Sequence, residues 1–574
     1  MTNVSKVVYD LISTKLSTAY IYSGGAVMPL INQLHPSNNI NKMKYYIPST
    51  EASAGFCSIG HNKSMNKCDS VVIATSGPAV TNLLTPLADA YCDRIPFLMI
   101  TGDVSLKARG MRSFQEVPSL ELTKPITYWN YSLDDESETY SVFEYVFELL
   151  DLGKQVHINI PKDILTKKII KSQKINYVLP IKYNNFNIDL IKQIANIINN
   201  SKKPILYVGK GCNDASTELL KIATKANIPV TTTLHGLGVF DENNELSLKM
   251  VGMHGSERAN NGIQLSDCII CVGARFDDRT VGNIDKYAPN AKHIIHINND
   301  NTVFNQIIKN TINICENSKN VLHYLYPLIH KKNHYNEWIN EINTYNISFP
   351  YDNSTGLKQQ DVITIFNDLL INKKDIKKKS MITTGVGNHQ MWCGQLITHK
   401  YPNRFITSGS LGTMGSSNSM AIGCKIAYPD RYVFAFDGDG SFTMLNDMGM
   451  LLKYKIGIKI FLLNDSKLSM VNVWEKLFYD NNIVATEHNN PDYEYLATAY
   501  NIKYLKIDKS MNKMQISEII NEFIEYDNTK PIFLDCIVDS DYCFPLVAPG
   551  SALNDMITYD NFNRYKMNNL DAPN

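Results

Sequence analysis

The stretch VFAFDGDGSFTMLND, residues 433–447, sets the fold. The apolar run VFAF leads into Asp439, an aspartate flanked by Gly438 and Gly440. An apolar run without alternation is what a strand covered on both faces requires. In open α/β sheets, ligands bind beyond the carboxyl ends of the strands, and glycines there let the backbone approach a bulky ligand closely. A carboxylate at such an end suits a hard cation; Mg²⁺ takes one or two carboxylates together with substrate phosphates. The next apolar run, KIFLLND at 459–465, ends in Asn464 and Asp465, so a second oxygen donor follows Asp439 by 26 residues.

The same punctuation recurs along the chain. SVVIATSGPAVTN (70–82), PILYVGKGCND (204–214) and CIICVGARFDD (268–278) each pass from an apolar, β-branched run through a glycine turn into a helical pattern. Strands alternating with helices in this way predict parallel sheets with helices on both faces. Residues 170–187 and 344–357 lack helical periodicity, carry Pro and Asn, and read as linkers. The expected class is therefore α/β, with three doubly wound parallel-sheet domains at about 1–168, 188–343 and 358–574.

Composition narrows the partners. Lys+Arg and Asp+Glu are 56 each in 574 residues, so the chain has no net charge and no field suited to nucleic acid. The basic segment NKKDIKKKS at 372–380 reads as a solvated loop before a strand. Eleven cysteines, an odd number scattered through apolar surroundings, indicate reduced thiols rather than a disulfide framework. The one C-x-x-C, CIIC at 268–271, has no second pair to complete a zinc site. No run of 18 apolar residues predicts a membrane span. The first residues, MTNVSKVVYDLISTKL, lack a signal-peptide core, and the first arginine is Arg94, so a cytoplasmic protein is expected.

A G-D-G turn followed some 25 residues later by an Asn-type ligand is the signature of the thiamin-diphosphate enzymes, and the Asn464–Asp465 pair at that distance resembles it. Within them the chain is most similar to the acetolactate (acetohydroxyacid) synthase catalytic subunits. The likeness runs through YSGGAVMPL (22–30), ATSGPAVTNLLTPLADAYCDRIPFLMITGDV (74–104), SFQEVP (113–118), INIPKD (158–163), GMHGSERAN (252–260), GARFDDRTVGN (273–283), TTGVGNHQMW (383–392) and SMVNVWEKLFYD (469–480). It implies pyrimidine-binding, central FAD-binding and diphosphate-binding domains. It also implies decarboxylation of pyruvate and condensation with a second 2-ketoacid, the first step of branched-chain amino-acid synthesis.

The resemblance assigns roles residue by residue. Glu51, in IPSTEASAGF, matches the acid beside the aminopyrimidine; a Glu in low dielectric has a raised pKa and can hold a shared proton. Phe114, Gln115 and Lys162 match residues near the reacting centre, beside Gly25 and Ala26. Met414 matches the prop that bends the coenzyme; Gly385, Gly387, His389, Gly438, Ser441 and Met470 match its other contacts. Asp439, Asp465 and the main chain of Lys467 would hold Mg²⁺. Arg279 matches an arginine able to grip an acceptor carboxylate with its fork, or else pairs with Asp277 or Asp278. Trp474 and Val471 match the acceptor pocket. In the central domain, Gly209, Gly211, Gly252, His254, Arg275 and Asp277 stand in glycine-rich turns suited to the pyrophosphate of FAD, which would be structural.

Glu51 and Asp439 fall in different domains. In this family the site forms between two chains, so a homodimer or homotetramer is expected, with a small regulatory subunit as a possible further partner. Some positions depart from the family: Thr50 stands for a histidine, Ala79 for a glycine where it would crowd a turn, Asp465 for an asparagine, Asp103 for a glutamine and Ser105 for a proline. Two other readings remain open on the sequence. One is a related thiamin-diphosphate decarboxylase, carboligase or oxidase; the other is a non-catalytic homologue acting as partner or scaffold.

Overall fold

A computed structural model describes residues 2–39, 41–178, 185–331, 335–351 and 355–562. Three six-stranded, wholly parallel sheets follow one another along the chain. The first holds β1 (Thr18–Tyr22), β2 (Lys44–Tyr46), β3 (Ser70–Ala74), β4 (Phe97–Asp103), β5 (Trp129–Ser132) and β6 (Gln155–Pro161). The second holds β7 (Pro204–Val208), β8 (Val230–Thr232), β9 (Ser247–Met250), β10 (Cys268–Val272), β11 (His293–Asn298) and β12 (Ile312–Cys315). The third holds β13 (Ser380–Thr384), β14 (Phe405–Thr407), β15 (Tyr432–Gly438), β16 (Ile458–Asn464), β17 (Lys503–Ile507) and β18 (Ile532–Ile537).

The apolar runs are strands because both their faces are covered: every residue of β3, β10 and β16 is buried. Strand order then locates the crevices. The first and third sheets share one order, β2-β1-β3-β4-β6-β5 and β14-β13-β15-β16-β18-β17. Connections reverse direction beside β1 and β3 in one, and beside β13 and β15 in the other. The middle sheet runs β12-β11-β10-β7-β8-β9, the dinucleotide-binding order, and reverses between β7 and β10.

Two helices clamp the first sheet to the third. The helix Glu51–Met65 lies on the helix Ser417–Ala427 with so little space that a Cβ on Gly60 would fall 2.1 Å from Met420 O. Likewise, a Cβ on Gly423 would fall 1.9 Å from Cys57 O. The contacts pair Cys57 with Gly423 and Gly60 with Met420, so the helices run in opposite senses.

Several local expectations change. Lys374–Lys379, within the basic segment, is a helix rather than a loop, and Lys377 Nζ reaches Thr398 O; burial lowers that ammonium to about 8. Ala79 crowds no turn: it is the second residue of the helix Pro78–Cys92 and is fully buried. The turn is made instead by Gly77 at φ +65°, where a Cβ would meet Gln115 O at 2.7 Å. Thr50 caps the Glu51 helix, its hydroxyl accepting from Ser53 N–H at 3.1 Å. No disulfide joins the cysteines among the described residues, and CIIC lies inside β10. The linker residue Tyr177 stacks on Tyr145 at 4.8 Å; residues 179–184 and 352–354 of the two linkers lie outside the described residues. No helix among the described residues is long and apolar enough to cross a membrane.

Candidate active site

Asp439 opens the short helix Asp439–Phe442 directly after β15, at the point where the third sheet reverses. Its two carboxylate oxygens are treated differently. Oδ2 accepts from Ser466 N–H at 2.8 Å, from Asn490 Nδ2 at 2.5 Å and faces His488 Nε2 at 3.2 Å. Oδ1 has no hydrogen bond among the described residues. Asp465 follows β16; its Oδ2 accepts from Gln359 Nε2 at 2.9 Å and from the Ser469 hydroxyl, and its Oδ1 only from Lys467 N–H at 3.2 Å. Burial, and after it the neighbouring Asp439 carboxylate, push the Asp465 carboxyl up to about 7. A carboxyl raised by a neighbouring carboxylate in this way fits a divalent cation, whose charge removes the repulsion. The Lys467 carbonyl accepts no hydrogen bond among the described residues: the strand pairing beside it runs through Ser466 O and Leu468 N–H. Asn464, the other oxygen at that strand end, is turned to Asn490 at 2.8 Å and to Asp535 at 3.1 Å.

The turn after β13 completes the crevice. Gly385 must be glycine, since a Cβ would stand 2.0 Å from Asp437 Oδ1 and 2.5 Å from Ser441 Oγ. His389 packs its ring against Gly387 and Gly438 and lies 3.5 Å from Asp437. The helix Asn388–Leu396 points its N-terminus into this crevice, an arrangement that accepts anions. His389 Nε2, apart from its 3.5 Å approach to Asp437 Oδ1, and Ser419 Oγ are buried without a hydrogen-bond partner among the described residues. Such atoms are normally bonded, and both can donate to a phosphate oxygen. Ser441 Oγ accepts from Gly415 N–H at 2.8 Å and so ties the Asp439 turn to the segment carrying Met414. These features fit a Mg²⁺-bound diphosphate.

The first sheet supplies the acid. Glu51, capped in place by Thr50, is 8% exposed, and its Oε2 accepts from Asn82 Nδ2 at 3.0 Å. Asn82 was not singled out in the sequence, because 31 residues separate it from its partner. Ala26 N–H bonds to Thr75 Oγ1 at 3.3 Å, and Gly25 faces open space, at the point where this sheet reverses. Gln115 adopts φ +64° beside Gly77, and the Phe114 side chain is 89% exposed. Lys162 begins the helix after β6 and is exposed. Asp103 accepts from Arg109 and from Asn159, each at 2.9 Å, on the wall of a cleft of about 620 Å³.

No contact among the described residues joins Glu51 to Asp439 or Met414, although Ser49, close before Glu51, bonds Asp447 of the third domain. Glu51 stands about 9 Å along its helix before the crossing at Cys57, and Met414 precedes the other helix. The opposed directions therefore put them at opposite ends of the pair. Arg279 and Trp474 border one apolar cluster. Arg279 Nη1 bonds to Met253 Sδ at 2.9 Å; Met253 packs in one cluster with Leu477 and Phe478, and Phe478 meets Trp474 ring to ring at 5.1 Å. Met470 is half-buried and Val471 exposed on the same helix. The one ion pair of Arg279 among the described residues is a long 3.5 Å contact with Asp278, and Arg279 stays exposed, while Asp277 instead caps its own short helix through Thr280.

In the middle sheet, the turns after β7 and β10 meet at the reversal point. Gly211 N–H donates to Gly273 O at 2.9 Å, and a Cβ on Gly209 would fall 2.5 Å from the same oxygen. Gly209 N–H donates to Val272 O. These amides are therefore taken, and the glycines make a flat floor rather than a pyrophosphate cradle. Gly252 closes against Arg279 O, and His254 faces the carbonyls of Cys543 and Pro545 at 3.0 and 3.2 Å, burial lowering it to about 4. Arg275 reaches Ser410 Oγ at 2.9 Å. Thr232 Oγ1 is buried without a partner at the end of β8. The edge fits a dinucleotide lying over the rim.

Three family models match the chain. Their descriptions are the N-terminal TPP binding domain of thiamine pyrophosphate enzymes over residues 2–122, the central domain over 191–325 and the C-terminal TPP binding domain over 385–536. The chain is similar to the mitochondrial acetolactate synthase catalytic subunit of Saccharomyces cerevisiae, with 35% identity over 95% of this chain and 82% of that protein. It is similar to the chloroplastic acetolactate synthase of Arabidopsis thaliana, at 33% over 95% and 82%. It is also similar to a probable acetolactate synthase large subunit of Methanococcus aeolicus, at 34% over 97% and 95%.

Proposed function

The chain belongs to the acetolactate synthase family of thiamine pyrophosphate enzymes, and on that footing we propose how its residues divide the reaction. The substrates are pyruvate and a second 2-ketoacid, pyruvate or 2-ketobutyrate, joined with loss of CO₂ to an acetohydroxyacid. Thiamin diphosphate supplies the carbanion and electron sink for that chemistry. Asp439 Oδ1, Asp465 and the Lys467 carbonyl hold Mg²⁺; His389 and the helix Asn388–Leu396 hold the diphosphate. Met414 sets the coenzyme's bend. Glu51 holds a proton at N1′ of the aminopyrimidine, with Asn82 orienting the carboxylate so that Oε1 is left for that contact. Gln115, Phe114 and Lys162 border the reacting centre. Arg279 binds the acceptor's carboxylate, and Trp474 with Val471 shapes the space for its side chain. FAD, over the rim of the middle sheet, has a structural role, since joining two ketoacids transfers no net electrons.

The single observation that carries this reading is the asymmetry of Asp439: one oxygen saturated by the protein, the other free at the reversal point of the sheet. The opposed helices support a site completed by a second copy, Glu51 of one chain serving Asp439 of the other, and hence a homodimer or homotetramer. The relatives' names, catalytic and large subunit, support a smaller regulatory partner. We propose a cytoplasmic place; imaging a tagged full-length chain tests it against the mitochondrial and chloroplastic places of some relatives. The function itself is tested by assaying acetolactate from pyruvate with thiamin diphosphate, Mg²⁺ and FAD each omitted in turn. Loss on omitting the first two is expected. CO₂ without acetolactate would replace this activity by a decarboxylase.

A further inference from the structure

Two aspartates near the end of the helix Pro78–Cys92 leave the first domain's core and fasten a segment of the third. Both are essentially buried, Asp89 at 0% and Asp93 at 2% exposure. Asp93 Oδ2 accepts from Lys63 Nζ at 2.6 Å and from Gly409 N–H at 3.3 Å; its Oδ1 accepts from Ser410 N–H at 2.9 Å and meets His235 Nε2 at 3.1 Å. Asp89 Oδ2 accepts from the Ser408 hydroxyl and from Thr413 Oγ1 at 2.9 Å. Lys63 Nζ also donates to Thr407 O, and Ser408 Oγ accepts from Thr413 N–H at 2.9 Å. The segment Thr407–Thr413 is thus held at its start, middle and end by side chains from another domain, and its next residue is Met414.

The middle domain joins the same cluster. His235 lies so close to Gly409 that a Cβ there would be 2.2 Å from Nε2. Lys210 Nζ donates to the carbonyls of Asp93 and, at 2.9 Å, Arg94. Buried ionic groups with several partners are costly to disturb singly, because each leaves the others unpaired. The geometry is more than local capping: Asp93 lies one residue past its own helix, yet three of its four contacts go to other domains.

We propose that Asp93, with Asp89 and His235, is a positioning residue that sets where Met414 stands, so that the three domains jointly fix the bend of the coenzyme. This rests on the role given to Met414 above. Asp93 touches neither coenzyme nor substrate in this scheme; it acts through the main chain of Gly409 and Ser410.

The test is a double-mutant cycle on the full-length enzyme, with Asp93→Asn combined with Met414→Ala. Asp93→Asn should lower kcat about tenfold when Met414 is present and less than about twofold in the Met414→Ala background, because the group it positions is already gone. Equal fold-losses in both backgrounds overturn the proposal. A second readout needs no turnover: in cofactor-free protein, amide hydrogen exchange over Phe405–Gly415 should rise in Asp93→Asn while the strands of the third sheet keep their protection. Unchanged exchange in that segment overturns it as well. If Asp93→Asn does not fold, His235→Ala is carried through the same cycle, with the same two criteria. Wild-type turnover that does not depend on added thiamin diphosphate would instead remove the family-based role of Met414, and is measured first.

Discussion

The amide of Asn82 donates to Glu51 Oε2 at 3.0 Å, and this is the only hydrogen bond the Glu51 carboxylate makes among the described residues. A carboxylate with one oxygen tethered presents the other in a fixed direction. Glu51→Gln keeps the shape and removes the proton-holding group, so turnover should fall by about 10²–10⁴-fold while thiamin diphosphate still binds in a calorimeter. Asn82→Ala should cost about tenfold in turnover, with thermal stability nearly unchanged. Wild-type turnover in Glu51→Gln removes Glu51 from its role.

Complementation tests the two-chain site. Glu51→Gln and Asp439→Ala chains are each expected to be inactive alone. Refolded together in equal amounts, they should recover about a quarter of wild-type activity, because half the dimers are mixed and each mixed dimer has one intact site. A mixture as inactive as its parts shows that both residues must come from one chain.

Trp474 stands against Phe478, in the cluster that also holds Met253 beside Arg279. Trp474→Leu should change the product ratio when pyruvate and 2-ketobutyrate compete as acceptors, by about 1–3 kcal/mol in discrimination. An unchanged ratio moves the acceptor pocket elsewhere.

The closest helix contact tolerates no added carbon. Gly60→Ala would place a methyl 2.1 Å from Met420 O, and Gly423→Ala one 1.9 Å from Cys57 O. Both oxygens are main chain and cannot rotate away. Each variant should lose about 1–3 kcal/mol, read from urea midpoints; midpoints equal to wild type contradict the packing.

His157 and His399 are fully enclosed, and burial lowers each from its ordinary 6.5 to about 3. His157 is bonded to Thr101 and Thr123 hydroxyls at 2.7 and 2.9 Å. Their folded pKa values lie below the unfolded ones, so only the unfolded chain takes up these protons in that window. Their contribution is whole above pH 6.5 and is lost as pH falls toward 3, at about 1.4 kcal/mol per unit for each histidine. Urea unfolding at pH 7 and pH 5 reads this, and His157→Gln should flatten the slope. A slope that does not change in the variant excludes His157 as its source.

What the sequence displayed was whatever repeats with a period or a fixed spacing. Uninterrupted apolar runs such as CIICV gave the buried strands, and the glycines around Asp439 marked the end of β15. Lys374–Lys379 misled because four charged lysines look like a loop, whereas a short helix turns one of them, Lys377, to the Thr398 carbonyl. Asn490 reaches Asp439 across 51 residues, and Asp93 reaches Ser410 across 317. The first depends on how the loops of the third domain pack and the second on how whole domains are set against each other, and neither leaves a periodic trace. The glycines after β7 were readable as glycines, but whether their amides stay free depends on the neighbouring strand β10.

The shared strand order of the outer sheets has one more consequence. It makes the Glu51 helix the topological counterpart of the helix Ser417–Ala427, since each lies between the second and third strands of its sheet. Gly60 then corresponds to Gly423 and Cys57 to Met420, so each glycine touches the carbonyl of the other repeat's equivalent residue. That is the self-complementary contact of a two-fold dimer, contained in a single polypeptide. Internal gene duplication would account for it: fusion freed the two repeats from having to stay identical, and one could keep an acid while its sibling kept the metal ligands.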